Sequence, residues 1–156
     1  MMQDDKFIEE AVRESVKSVQ SGGGPFGAVI VKEGKIIARA GNTVTLTPDP
    51  TAHAEVNAIR VAAQALKNFD LSGCEIYCSC EPCPMCLGAI YWARLDKIYF
   101  ANKSQKAQEF GFDDSFIYKE CEKPFSRRSI STVELKIDNA DAGFQEWRTK
   151  EDKTEY

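Results

Sequence analysis

The sequence predicts an α/β fold, three layers of helix, sheet and helix around a mixed central sheet of about five strands. Three features predict it. Apolar residues recur at helical spacing in two long segments, and between them they run almost without interruption, as in a strand. A Glu33-Gly34 pair splits that run into a hairpin. Beyond it, strand-like and helix-like stretches alternate, the order that builds layered α/β domains. A chain of 156 residues suffices for one domain with its own hydrophobic core, and residues 1–156 are read as a single domain.

Taken in order, "DKFIEEAVRESVKSVQ" lines up Phe7, Ile8, Ala11, Val12, Ser15, Val16 and Val19 on one helical stripe and ends at Gly22-Gly23-Gly24-Pro25, a strong stop. "GAVIVKEGKIIARAG" reads as two strands, "LTPDPT" as a turn, and "AHAEVNAIRVAAQAL" as an alanine-rich helix. "CEIYCSC" reads as a strand with Cys74, Ile76, Cys78 and Cys80 on one face and Glu75, Tyr77 and Ser79 on the other. "PMCLGAIYWAR" reads as a helix, "KIYFA" as a short buried strand, and "SQKAQEFG" and "FQEWRTKED" as helices. The stretch "GFDDSFIYKECEKPFSRRSIS" has no clear period and is expected to hold loops and short helices.

Composition narrows the function. Hydrophobic residues at 43% and charged residues at 28% are the mix of an ordinary globular protein. No apolar run is long enough to span a membrane, and "MMQDDKFIEEAVRESV" lacks the basic start and apolar stretch of a secretory signal. The expectation is a cytoplasmic protein with no membrane partner. A net charge of −4 argues against a nucleic-acid partner, whose phosphates demand cations. Arg127-Arg128 is the one dense basic pair and reads as a solvated loop. Six cysteines leave a disulfide framework or a metal or redox site open, and their spacing decides.

Cys80, Cys83 and Cys86 are evenly spaced in "SCEPCPMC". An iron–sulfur run would continue with a fourth cysteine, but Ile90 stands four residues on. A closed structural zinc site would take all three thiols and His53. An open catalytic zinc would take Cys83 and Cys86, which share one helix face, and leave Cys80 at the strand end as a small core residue. The chain has a single histidine, and it lies in "TAHAEVNAIR" with Glu55 two residues on. His-x-Glu followed downstream by Pro-Cys-x-x-Cys is the signature of zinc deaminases, in which the glutamate moves protons and is not a ligand. Both halves are present, as His53-Ala54-Glu55 and Pro82-Cys83-Pro84-Met85-Cys86.

Four stretches, "GGPFGAVIVK", "DPTAHAEVNAIR", "SCEPCPMCLGAIYWAR" and "GFDDSFIYKE", make the chain similar to the bacterial guanine deaminases of the cytidine-deaminase-like superfamily. The resemblance runs nearly end to end and includes "FQEWR" and a terminal tyrosine. It implies a cytidine-deaminase-like fold and hydrolysis of guanine to xanthine and ammonia. It implies one zinc ion per chain on His53, Cys83 and Cys86, with Glu55 as catalytic proton shuttle. Asn42, Phe26, Ala54, Trp92, Phe112, Asp114 and Tyr156 would contact the purine base. The resemblance further implies a homodimer in which the C-terminal segment, about 104–156, crosses to the partner's site. Plainer readings stand beside these. Asn42 suits a turn, Phe26 and Trp92 suit a core, Asp113-Asp114-Ser115 suits a helix cap, and Tyr156 suits a frayed end. Two rival functions also stand: deamination of another base or nucleoside (transfer-RNA adenosine, cytosine), or a non-catalytic binding module that zinc merely stabilises.

Overall fold

β1 (Gly24–Lys32) and β2 (Lys35–Asn42) form the expected hairpin, and its two turn residues, Glu33 and Gly34, both have positive φ, at 49° and 72°. That is the turn geometry whose twist matches the strands it joins. The structure, a computed structural model, describes residues 3–156, with side chains from Asp4 onward. It divides into one unit ending at Ser115 and a second, Phe116–Tyr156.

In the first unit, α1 (Gln3–Gln20) precedes the hairpin, and α2 (Ala54–Leu66), β3 (Cys74–Cys80), α3 (Pro84–Trp92), β4 (Lys97–Asn102) and α4 (Ser104–Glu109) follow. The strands lie in the order β2-β1-β3-β4. β1 is antiparallel to both neighbours, while β3 and β4 run parallel. Since β2 and β3 both oppose β1, they point the same way. The helices that follow them, α2 and α3, therefore begin at the same end of the sheet.

Alternation along the strands builds two cores. One face carries Ala28, Ile30, Ala38, Cys74, Ile76 and Cys78 under α2 and α3, with Ala54, Ala58, Ala62, Ile90 and Ala93 against them. The other carries Val29, Val31 and Tyr77 under Phe7 and Ala11 of α1. This is the expected three-layer arrangement, and β3 shows its two faces as expected. Burying each of the larger side chains contributes about 1.5–3 kcal/mol.

Three expectations need correction. The described sheet has four strands, not about five, because among the described residues no further strand pairs with the outer edge of β2 or of β4. β4 is not buried: it is the sheet edge, and Phe100 is 43% exposed. The stripe on α1 is also turned. Phe7, Ala11 and Ser18 are buried, whereas Val16 and Val19 are half exposed. The cause is Gly27, where an added Cβ would stand 2.2 Å from the Ala11 carbonyl oxygen. The helix backbone lies directly on β1 there, and Phe7 and Ala11, not Val16 and Val19, meet the sheet.

The second unit holds most of α5 (Ser115–Glu122), a short 3-10 turn (Phe125–Arg127) and α6 (Ala142–Thr149), with irregular chain between them. Loops and short helices were expected in this part, and no residue of Phe116–Tyr156 is buried. Among the described residues no helix is long and apolar enough to cross a membrane.

Candidate active site

Two helix starts supply the centre. His53 is the N-cap of α2 with φ −68° and ψ 155°, and Cys83 is the N-cap of α3 with φ −68° and ψ 169°. Pro84 opens α3 at the position where its missing N–H costs nothing. Cys86 then falls three residues beyond the cap and is fully buried. Neither side chain makes an N-cap hydrogen bond, which leaves both for the site. The open N–H groups and the positive dipole ends favour thiolate at such places.

The distances fit a tetrahedral ion. His53 Nδ1 lies 3.6 Å from Cys83 Sγ and 3.5 Å from Cys86 Sγ. A zinc ion with Zn–S near 2.3 Å and Zn–N near 2.0–2.1 Å spaces sulfur from nitrogen by about 3.6 Å. The three ligand atoms lie within 4.8 Å of one another, the one such group among the described residues. Cys80 stands apart, its Sγ directed at the Lys103 carbonyl oxygen at 3.8 Å. The donor set is thus three residues, which leaves a fourth tetrahedral position to a small molecule and disfavours the closed structural site.

The charges suit metal ligands. The Cys86 thiol, together with His53, pulls the Cys83 thiol down to about 4, which favours its thiolate form. Cys86, next to that thiolate and buried, keeps its proton well above the ordinary range. The bond to Cys83 raises His53 above its ordinary value. These are the protons that metal binding releases. Glu55 sits beside the group, its Oε2 accepting from Cys86 Sγ at 3.4 Å, and it is almost wholly buried. Burial is the first cause that raises its carboxyl above the usual range.

Around this centre the residues picked out as base contacts divide. Asn42 ends β2 and is buried, with its Oδ1 accepting from the Val44 N–H at 3.1 Å and its backbone carbonyl from Ser18 Oγ at 2.8 Å. What it offers a ligand is therefore first its Nδ2 hydrogens. Gly24 makes room for it, since a Cβ there would lie 3.0 Å from Asn42 Cγ. Ala54 opens α2 and is fully buried between His53 and Glu55 in sequence. Phe26 and Phe112 meet edge to face at 5.0 Å. Asp113 and Asp114 separate clearly: Asp113 Oδ1 accepts the Ser115 N–H, while the half-buried Asp114 is raised by burial and then by the negative charge of Cys83. The structure does not bring Trp92 to the ligands. It ends α3, nine residues and about 13 Å along the helix from Cys83, and is 68% exposed. Tyr156 belongs to the second unit, where its ring meets Trp147 at 6.5 Å.

Sequence reasoning missed the glycine seat under Asn42, having read Gly23-Gly24 as a helix stop. It also missed Asn57, whose side chain grips both ends of the loop before His53. A polar residue of poor helix propensity inside an alanine-rich helix was the signal available.

A mixed sheet carrying two co-aligned helix starts, one imidazole and two sulfur ligands, and a buried glutamate beside them defines a metal-assisted hydrolytic centre. The chain belongs to the family of the cytidine and deoxycytidylate deaminase zinc-binding region, whose sequence model matches residues 1–102. Its cofactor is zinc. It is 51% identical over 156 residues to a guanine deaminase of Bacillus subtilis, covering 99% of this chain and 100% of that one. The X-ray structure of guanine deaminase from Bacillus subtilis superposes with a TM-score of 0.95, covering 97% of this chain and 98% of the other at 51% identity. A tRNA-specific adenosine deaminase of Aquifex aeolicus is 44% identical over 100 residues, 64% of this chain and 66% of the other.

Proposed function

We propose that this chain hydrolyses guanine to xanthine and ammonia, with water as the second substrate. The observation that carries the reaction type is the approach of Glu55 to Cys86, 3.4 Å, beside a three-ligand set. What favours guanine over a transfer-RNA adenosine is extent. The resemblance to guanine deaminase spans 99% of the chain, while that to the adenosine deaminase spans 64%. A sequence pI near 5.1 adds to this, since an RNA partner favours basic surfaces.

His53, Cys83 and Cys86 would hold zinc, which when bound lowers the pKa of a water molecule from about 15.7 to about 7. The chain's own residues do the rest. Asn42 donates from Nδ2 to an acceptor on the ring. Asp114 accepts from a ring N–H, and such a donor restores the charge that burial disfavours. Phe26 and Phe112 present aromatic surface to the flat purine. Glu55 takes the proton of the attacking water and hands it to a ring nitrogen. It then takes the remaining proton of the hydroxyl now bonded to the ring carbon and passes it to the amine, so that the C–N bond breaks and ammonia leaves as the ring carbonyl forms. A carboxyl raised by burial suits both halves of that transfer.

The assembly we propose is a homodimer that exchanges C-terminal segments. It is supported by the lack of any buried residue in Phe116–Tyr156 and by the open edge of β4. Residues 132–138 alternate polar and apolar side chains, a pattern that adds readily to an open sheet edge of a second copy. Trp92, at the far end of α3, contacts a base in this reading only as a partner's contribution. Six free thiols suit a reducing compartment, and we place the chain in the cytoplasm.

The test is incubation with guanine while the ultraviolet spectrum is followed for xanthine, with and without a chelator. A panel of free bases, nucleosides and RNA is assayed in parallel by ammonia release. Turnover of RNA adenosine without turnover of guanine would overturn the substrate assignment.

A further inference from the structure

The loop between Asn42 and His53 is fastened at both ends by one side chain. Residues 43–52 hold no helix or strand. At their base the Thr43 N–H donates to the Ala52 carbonyl at 2.9 Å. Asn57 Nδ2 lies 3.0 Å from the Gly41 carbonyl, 3.0 Å from Thr43 Oγ1 and 3.2 Å from the Ala52 carbonyl. Its two hydrogens are thus shared among acceptors that flank Asn42 on both sides and directly precede His53. The backbone of Asn57 is bound independently, its N–H donating to the His53 carbonyl at 2.9 Å in the first turn of α2. Removing the side chain therefore leaves the helix start, and His53 in it, in place.

Asn42 has its own restraints in Ser18, Val44 and the glycines beneath it. Those orient the residue within β2. Asn57 does something they do not: it ties the end of β2 to the helix that carries His53 and Glu55. From this we infer that Asn57 is a positioning residue, acting through Asn42, which sets the distance between the amide that grips the base and the centre that attacks it. The inference rests on the guanine reading above. A displacement near 1 Å at such a distance costs up to about a hundredfold in rate.

The experiment compares Asn57→Ala, Asn57→Asp and Thr43→Val with the parent for zinc content, melting temperature, kcat and KM. Asn57→Asp keeps the shape but loses both hydrogens, and Thr43→Val removes one acceptor of the three. The expected result is one zinc per chain in every variant and a fall in kcat/KM for guanine of roughly tenfold to a hundredfold in the Asn57 variants, carried mainly by kcat, because the base is held off the attacking centre. Thr43→Val falls less. In an Asn42→Ala background the Asn57→Ala change alters kcat/KM by less than about twofold, because the residue it serves is gone. Hydrogen exchange at the Thr43 amide quickens in Asn57→Ala, a readout that needs no turnover. An equal fall in both backgrounds, a fall explained by lost zinc, or unchanged kinetics and exchange would overturn the inference. Should the parent release ammonia from a different base and not from guanine, the guanine assignment falls, and the same cycle run on that base decides the role of Asn57.

Discussion

The two units of this chain spend their apolar residues in opposite ways. Up to Ser115, the strands and helices bury theirs in two cores and leave the ligands at one end of the sheet. From Phe116 onward, Ile130 is 81% exposed, Leu135 79% and Phe144 78%, and nothing is buried. A side chain of that size forgoes about 1.5–3 kcal/mol when left in water. The contrast teaches that the metal ligands and the uncovered apolar surface lie in different parts of the sequence. The first unit holds a complete ligand set, while the second carries an apolar surface in need of cover.

The sharpest way to break that division is inside the first unit. Glu55→Gln should keep one zinc per chain and the assembly state of the parent, and lose about 10²–10⁴ in kcat. Metal analysis, light scattering and turnover on one preparation check this. Asp114→Ala should also keep its zinc, but kcat/KM for guanine should fall about a hundredfold as charge-assisted hydrogen bonds to the base are lost. Unchanged kinetics would move recognition to other residues.

A change in the second unit should act on assembly first. Leu135→Asp together with Ile137→Asp puts two carboxylates on the exposed apolar stretch. The expected outcome is a shift from dimer to monomer by light scattering at micromolar concentration, with zinc content unchanged. A dimer that persists would show that this stretch is not covered in the assembly.

The smallest effect tests the core on the α1 side. Tyr77 OH lies 2.8 Å from Asp4 Oδ1 and 3.0 Å from Glu75 Oε2, and burial followed by those two bonds raises its pKa far above the ordinary 10. A raised folded pKa favours the protonated phenol. The stability it contributes is thus complete below pH 10 and lost as pH climbs above that. Tyr77→Phe should cost about 1 kcal/mol at neutral pH and flatten the alkaline loss, as read from denaturant midpoints between pH 8 and 11.

Much of the first unit was legible in the sequence because its signals are local. The Glu33-Gly34 turn, the alternation in β3 and Pro84 at the start of α3 each act within a few residues. So do the spacings of His53 with Glu55 and Cys83 with Cys86. What was not legible depends on distant partners. Which side of α1 meets the sheet is decided by Gly27, and whether β4 is covered depends on how many strands lie beyond it. The different surroundings of Asp113 and Asp114 need the fold to bring Cys83 near, and the grip of Asn57 needs β2 to end beside α2. Residues 132–138 alternate polar and apolar side chains yet form no strand, because a strand also requires a neighbour to pair with.

His53 and Cys83 stand thirty residues apart in the chain and meet at two helix starts. An ion shared between them works as a crosslink that closes the loop carrying α2 and β3. By the loop-closure argument used for disulfides, such a tie is worth about 3–4 kcal/mol against the unfolded chain. Starving the protein of its metal would then do more than silence an enzyme: it would loosen the fold itself and expose the demetallated chain to proteolysis.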